Sequence, residues 1–314
     1  MPTGLKRRHA RKRSAPRTAM HTPAGWTSLR AGGIKVLQFR PLANFSWLTH
    51  GFSTRPGGAS SLDGKKVLNL GFVDWDTKEN VARNRARLLE AVGAEDMQLV
   101  ALRQIHSDVI HVFEAAPKEP LRGDAAITRT PGLLLSVQTA DCIPILLADP
   151  KNKAVAAIHA GWRGTLRRIA AKTIGRMQMV LGTSPADLRV ALGPGIGQCC
   201  YEVGPEVVKD FAGQFANARA WFDGPYEQLA SGEDPNPLPW LTMMPPGHQP
   251  PPPRVRLDLI SANRSILTEA GVRPANISAS GLCTSCRIDL LFSYRREAAR
   301  TGRMMAVIGL LDRR

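Results

Sequence analysis

Apolar residues come in short runs cut by polar turns, and their spacing changes along the chain. Residues 133–138 and 143–148 are largely apolar runs flanking Thr139-Ala140-Asp141-Cys142. Their length predicts two buried strands joined by a short turn. Asp149-Pro150-Lys151-Asn152-Lys153 is a further turn, and 154–158 reads as a third strand. It runs into His159-Ala160-Gly161-Trp162-Arg163-Gly164. Leu166, Ile169, Ala170, Ile174, Met177 and Leu181 then recur at helical spacing.

Upstream, Asp76 and Glu79 resemble a capping box ahead of a helix that carries Val81, Ala82, Leu88, Leu89 and Val92 and stops at Gly93. Downstream, 190–192 ends a short strand at Gly193-Pro194-Gly195. Pro205 stands at the favoured first position of a helix, 259–270 reads as a helix stopped by Gly271, and 304–310 reads as a last strand. Strands and helices alternate without an internal repeat. The expected class is α/β, a single-domain layered sandwich with a mixed sheet.

Two segments break the pattern. Residues 1–33 open on a basic run, with eight of the chain's 42 Lys and Arg and no acid in 1–30, and are expected to be a solvated, disordered tail. Residues 223–253 carry Asp234-Pro235-Asn236-Pro237 and a Pro-rich stretch, and are expected to be an exposed insertion. The folded domain is thus expected over 34–314. The net charge of +16 looks like a nucleic-acid signal, but much of it sits in the tail, so nucleic acid is not an expected partner of the folded part. No apolar run reaches the roughly 18 to 20 residues needed to span a bilayer. Five cysteines, an odd number, in a chain of 314 residues argue against a disulfide framework and for a cytoplasmic location.

His106, Cys142 and His159 lie at predicted strand ends, where α/β folds place their sites. Two imidazoles and a thiolate suit Zn²⁺ and leave a fourth position for water. The spacings of 36 and 17 residues form no compact motif. Structural histidines with a small core cysteine, or a Cys142 nucleophile with His159 as base, fit the same residues. Cys283-Thr284-Ser285-Cys286 has a spacing that zinc sites use, but it is a lone C-x-x-C with no second pair at a suitable spacing and is not expected to hold a metal. Cys199 and Cys200 read as structural, because neighbouring side chains in an extended chain diverge. Arg55, within the glycine-rich loop 50–58, and Gly195, within 193–197, are candidates for holding phosphate and for close approach to a ligand.

Taken together these motifs resemble the YfiH-type family, also called the laccase-domain or polyphenol oxidase family, which is similar to multifunctional purine nucleoside phosphorylases. The matching stretches include His50–Ser60 by position, Gln104-Ile105-His106, Gly123-Asp124-Ala125, Thr139-Ala140-Asp141-Cys142, His159–Gly164 and Thr301-Gly302-Arg303. The resemblance implies zinc at His106, Cys142 and His159. It also implies phosphorolysis of adenosine, inosine, guanosine or methylthioadenosine, with deamination of adenosine. Older descriptions of the family invoke copper and phenol oxidation, and thiolate with imidazole accepts copper as well. A peptidoglycan-editing or Cys–His hydrolase role is a further alternative.

On this reading Asp141 is either the proton-carrying carboxylate of deamination or an orienter of a zinc histidine. Arg55 is the first candidate for phosphate, and Arg295 and Arg163 come next. The chain departs from the family at Tyr294, where His is frequent, and a phenol is a poor base at neutral pH. Purine nucleosides and phosphate are the expected partners; the oligomeric state is left open.

Overall fold

The computed structural model describes residues 24–231, 254–298 and 300–312. Regular structure begins earlier than the apolar pattern suggests. β1 (Trp26–Ala31) and β2 (Ile34–Phe39) pair as a hairpin. Its loop, Gly32-Gly33, has positive φ at both positions, 54° and 79°, as a tight two-residue turn between twisted strands requires. Trp26 is buried against Phe39 and Phe52. The tail expected over 1–33 therefore stops short of this hairpin, and residues 1–23 lie outside the described residues.

Next come α1 (Arg40–Ala43), β3 (Leu48–Ser53) and a small hairpin of β4 (Pro56–Leu62) with β5 (Lys65–Val67). α2 (Lys78–Ala91) is capped by Thr77, whose side chain accepts from the Asn80 N–H. The capping box expected from Asp76 does not form. That carboxylate instead accepts from Ser60 Oγ and the Asn69 side chain, which tie the β4–β5 hairpin to the start of α2.

β6 (Gln98–Ala101), β7 (Ile110–Val112), β8 (Ala125–Thr128), β9 (Leu133–Thr139), β10 (Ile143–Asp149) and β11 (Ala154–Ala160) follow. The helix expected across 166–181 is two helices, α3 (Trp162–Leu166) and α4 (Ile169–Leu181). They are separated at Arg168, whose φ of 59° is incompatible with a continuous helix.

The remainder comprises β12 (Arg189–Leu192), β13 (Glu202–Val203), α5 (Pro205–Gln214), β14 (Phe222–Asp223), α6 (Tyr226–Ser231), β15 (Val255–Leu257), α7 (Leu259–Glu269), β16 (Ile277–Ala279), α8 (Tyr294–Glu297) and β17 (Met304–Leu310). Ordered structure thus continues past residue 223. Asp223 pairs with Arg256, and Leu229 of α6 is buried. The remaining part of the expected insertion, 232–253, lies outside the described residues.

The strands form two six-stranded mixed sheets, ordered β1-β2-β3-β17-β9-β6 and β16-β12-β10-β11-β8-β7. β6 runs parallel to β9, β7 to β8 and β12 to β16; the other pairs are antiparallel. The sheets pack face to face. Leu135, Val137 and Ile308 of the first meet Leu146, Val155 and Ala157 of the second in one core.

Alternate residues point the other way. Leu134 and Val307 pack with Leu88 and Ala91 of α2, while Ile145, Leu147 and Ile158 pack with Ile174 and Met177 of α4 and Ile266 of α7. The order of layers is helix, sheet, sheet, helices, so central strands are covered on both faces. That explains why 133–138 and 143–148 are apolar without alternation. These two strands do not form a hairpin: β9 belongs to the first sheet and β10 to the second. The segment between them crosses the seam.

Candidate metal centre and pocket

The crossing segment carries Asp141 and Cys142. Asp141 has φ 97°, a conformation rare for a residue with a side chain. Three contacts hold it there. Its Oδ1 accepts from Thr284 Oγ1 (2.5 Å) and Ser293 Oγ (2.7 Å), and its Oδ2 accepts from the Arg295 N–H (2.6 Å). The adjacent Cys142 is thereby aimed at His106 and His159.

His159 lies near the end of β11, where antiparallel pairing sets it opposite Pro144 of β10. His106 follows β6 in a left-handed conformation, φ 57°. The Cys142 Sγ is 3.9 Å from His106 Nε2, the two imidazole rings are 4.9 Å apart at 72°, and one ligand atom from each of the three residues lies within 4.8 Å of the others. Gly161 makes room for this group. A Cβ there would stand 2.8 Å from Cys142 Sγ and 3.2 Å from His106 Cδ2.

One carboxylate organises the cluster. Asp124, fully buried at the head of β8, accepts from His159 Nδ1 through Oδ1 (2.8 Å). It also accepts from the N–H groups of Ile105 (3.2 Å), His106 (3.0 Å) and Ser107 (2.7 Å), and from Ser107 Oγ (2.7 Å). His159 is left with Nε2 free to face Cys142 and His106. Asp124 thus orients a histidine of the cluster, a role the sequence reading offered to Asp141. Its signal was a lone acid beside the apolar stretch 125–127. A carboxylate buried in such a place must be paired.

Charges within the cluster are coupled. Burial pushes the Asp124 carboxyl up, but hydrogen bonds from His159 and Ser107 outweigh it and hold the group well below the usual carboxylate range. Burial alone also pushes the Cys142 thiol up. The charge of His159 and the hydrogen bonds of both imidazoles bring it down to about 6. Burial lowers His159, yet Cys142 and Asp124 raise it to about 9.

The cluster forms one wall of a pocket of about 510 Å³ at the ends of β6, β9 and β11. Tyr201, Tyr294, Arg295 and Arg303 line the rest, with Gln104 and Gln138. Gln104 is spent on structure, its amide bonding both backbone groups of Gln138. Arg295 stacks over Tyr201 at 5.1 Å and donates to the Glu202 carbonyl. Arg303 lies 5.8 Å from the Tyr294 ring, and burial holds its guanidinium below its ordinary value.

Of the expected substrate contacts, the structure brings Arg295 to the pocket and three others elsewhere. Arg55 donates to Glu297 (2.6 Å) and to the Ile288 carbonyl, beside Phe292. Its cation is consumed by an internal ion pair. Arg163 is exposed and lies over Trp162 at 4.4 Å, outside the lining. Gly195 is packed against β10, where a Cβ would overlap the Ile143 side chain, so its lack of a side chain serves packing. Arg303 was missed as a site residue because nothing in Thr301-Gly302-Arg303 separates a pocket cation from a solvated one.

Fold and site together define a two-sheet α/β protein that converges a His–Cys–His group on a small-molecule pocket. An enzyme is the class this suits, with three side chains placed where they could hold a metal ion. The chain belongs to the family described as multi-copper polyphenol oxidoreductase laccase, whose model matches residues 49–311. It is 39% identical over 282 residues to a purine nucleoside phosphorylase of Deinococcus radiodurans, covering 90% of this chain and 95% of that one. It is 33% identical to adenosine deaminase RL5 of an unidentified prokaryote, covering 80% and 90%. The crystal structure of the Bacillus licheniformis hypothetical protein YfiH superposes with a TM-score of 0.73 at 30% identity, covering 90% of this chain and 98% of that one. Among the described residues no helix is long and apolar enough to cross a membrane.

Proposed function

We propose that the chain is a cytoplasmic, zinc-dependent purine nucleoside phosphorylase, acting on adenosine, inosine, guanosine or methylthioadenosine, and that the same pocket deaminates adenosine. The observation that carries this reading is the meeting of His106, Cys142 and His159 on the wall of a pocket that also holds two arginines and two tyrosines. The relatives named as phosphorylase and deaminase support it. The volume falls within the range of about 300–1,000 Å³ typical of small-ligand sites.

The donor set fits zinc. Two imidazole nitrogens and a thiolate at these separations suit a tetrahedral ion with one position left over, and His159 is held in the right tautomer by Asp124. A copper electron-transfer site adds a weak axial ligand, commonly methionine. No methionine lines the pocket among the described residues. Zinc held here supplies a Lewis acid beside the substrate.

The chain's own groups do the rest. Arg303 and Arg295 bind phosphate, since guanidinium forks match its oxygens. Tyr201, nearly buried, offers an aromatic face to the purine, and the exposed Tyr294 donates a hydrogen bond from the pocket wall. Asp141 acts by support: its carboxylate holds the Arg295 backbone and keeps Cys142 aimed at the two histidines.

A second reading has one observation in its favour. A thiol brought down to about 6 beside an imidazole raised to about 9 is the charge pattern of a Cys–His nucleophile pair. Metal counting and product analysis separate the two. Cys142→Ala is expected to lose one equivalent of zinc together with phosphate-dependent release of adenine and phosphate-independent formation of inosine from adenosine. Full turnover by a protein stripped of metal would transfer the site to the Cys–His reading. Unchanged zinc and turnover in Cys142→Ala would refute both.

A further inference from the structure

Four of the five cysteines take no part in the pocket cluster, and they meet one another. Cys199 and Cys200 lie in a turn after Gly197, and Cys283 and Cys286 lie in the segment after β16. Cys200 Sγ is 3.4 Å from Cys286 Sγ and Cys199 Sγ is 3.5 Å from the same atom; all four sulfurs fall within 4.8 Å of one another. We propose that Cys199, Cys200, Cys283 and Cys286 form a second metal site, a tetrathiolate that binds one zinc ion and clasps the two loops behind the pocket.

The geometry is that of a single ion. With Zn–S near 2.3 Å, tetrahedral sulfurs stand about 3.8 Å apart; the two shortest separations here, 3.4 and 3.5 Å, lie a few tenths of an ångström below that value and the rest fall within 4.8 Å. An iron–sulfur cluster places several metal atoms between its thiolates and spreads them further. Neighbouring cysteines diverge in an extended chain but not here. The N–H groups of Cys200 and Tyr201 both reach the Gly197 carbonyl (2.9 and 3.1 Å), and this turn carries both thiols to one side. The reading of Cys199 and Cys200 as purely structural residues pointing apart does not hold for this conformation.

The backbone around the group is already built. Gly195 bridges to Cys283, Thr284 N–H donates to the Gly195 carbonyl (3.0 Å), and Gly197 N–H donates to Cys283 Sγ (3.2 Å). Such an N–H stabilises a thiolate. A Cβ on Gly197 would stand 3.2 Å from Cys283 Cβ and 3.3 Å from Cys199 Sγ, a tight fit that would push the two segments apart by a few tenths of an ångström. A disulfide accounts for the group less well. Cys199 and Cys200 approach Cys286 equally, and one bond would leave a thiol stranded against it.

The clasp has a bearing on the pocket. One loop continues into Tyr201, which lines it, and the other carries Thr284, which holds Asp141. Soft thiolate ligands in tetrahedral array select zinc among abundant divalent ions, and a closed Cys₄ set has no position for substrate.

The test counts metal in protein purified anaerobically without chelator and dialysed against zinc. The expected result is two equivalents per chain in the wild type and one in Cys283→Ser/Cys286→Ser. His106→Ala, which damages the other centre, is expected to keep one. Cobalt loaded into His106→Ala should give an intense sulfur-to-cobalt charge-transfer band of four-thiolate type, a readout that does not depend on the folding of the cysteine variant. One equivalent in the wild type that persists in Cys283→Ser/Cys286→Ser, or no such band in His106→Ala, overturns the proposal. So does a mass lower by two hydrogens per cysteine pair in the anaerobic protein, the mark of a disulfide. Failure of the proposed phosphorylase reading would lower the wild-type count by at most the ion of the other centre and leave the loss in Cys283→Ser/Cys286→Ser and the cobalt band of His106→Ala unaffected.

Discussion

Asp124→Asn is the substitution that separates an organised metal centre from a chance meeting of three side chains. The change keeps shape and volume and replaces one acceptor oxygen by an NH₂. Every partner of Asp124 is a donor. Oδ1 takes the His106 N–H and His159 Nδ1, and Oδ2 takes the Ile105 and Ser107 N–H groups and the Ser107 hydroxyl. Either amide orientation therefore turns an NH₂ toward donors at a site with no water access. If the NH₂ faces His159, the ring must accept through Nδ1, which moves its proton to the nitrogen that the metal requires.

Loss of a hydrogen bond to a charged group costs about 1.5–3 kcal/mol. Supporting residues of this kind are typically worth 10–100-fold in metal affinity, or about 1.4–2.8 kcal/mol. The two estimates agree. Asp124→Asn is expected to weaken zinc binding at the His–Cys–His centre by one to two orders of magnitude, measured by competition with a chromophoric chelator. Nucleoside turnover should recover partly at high zinc. Wild-type affinity and turnover in a folded Asp124→Asn protein would show that the carboxylate does not set the histidine's tautomer, and the reasoning built on it would fall.

Three further outcomes are expected. His50 is buried and its Nε2 accepts the Phe39 N–H, and burial brings its imidazole down to about 4. Between that value and its ordinary 6.5 the unfolded chain binds more protons, so stability is fully present above pH 6.5 and falls as pH drops toward 4, by about 3 kcal/mol. Urea titrations at pH 7.5 and 4.5 should show that loss, and an equal loss in His50→Gln would assign it to other groups. Arg303→Ala should raise the KM for phosphate about tenfold or more. Arg55→Ala should instead lower stability by about 2 kcal/mol through its Glu297 pair, with KM little changed. The reverse pattern would restore Arg55 as the phosphate ligand. Removing residues 1–23 should leave turnover and melting temperature intact, whereas removing 1–33 deletes β1 and the buried Trp26 and should cost several kcal/mol, about what a large aromatic contributes to a core. Equal melting curves for the two truncations would show that β1 adds nothing.

Much of this molecule follows from local pattern. The strands at 133–138, 143–148 and 154–158, the helices opened by Pro205 and stopped by Gly271, and the last strand are present as periodicity and turn chemistry predict, because burial on both faces and steric rules at Pro and Gly act over a few residues. His106, Cys142 and His159 were recognisable as residue types at strand ends. The partition of β9 and β10 between two sheets was not, since an apolar run does not say which sheet it joins. Nor was the fate of the arginines: Arg55 and Arg303 are alike in sequence, and only the neighbours brought by distant segments turn one into half of an ion pair and the other into a pocket cation. The same holds for Asp124, which meets His159 across 35 positions, and for the four cysteines, which meet across more than 80. Short-range order is written in neighbouring residues, whereas charge pairing and ligand geometry depend on atoms that become neighbours only when the sheets close.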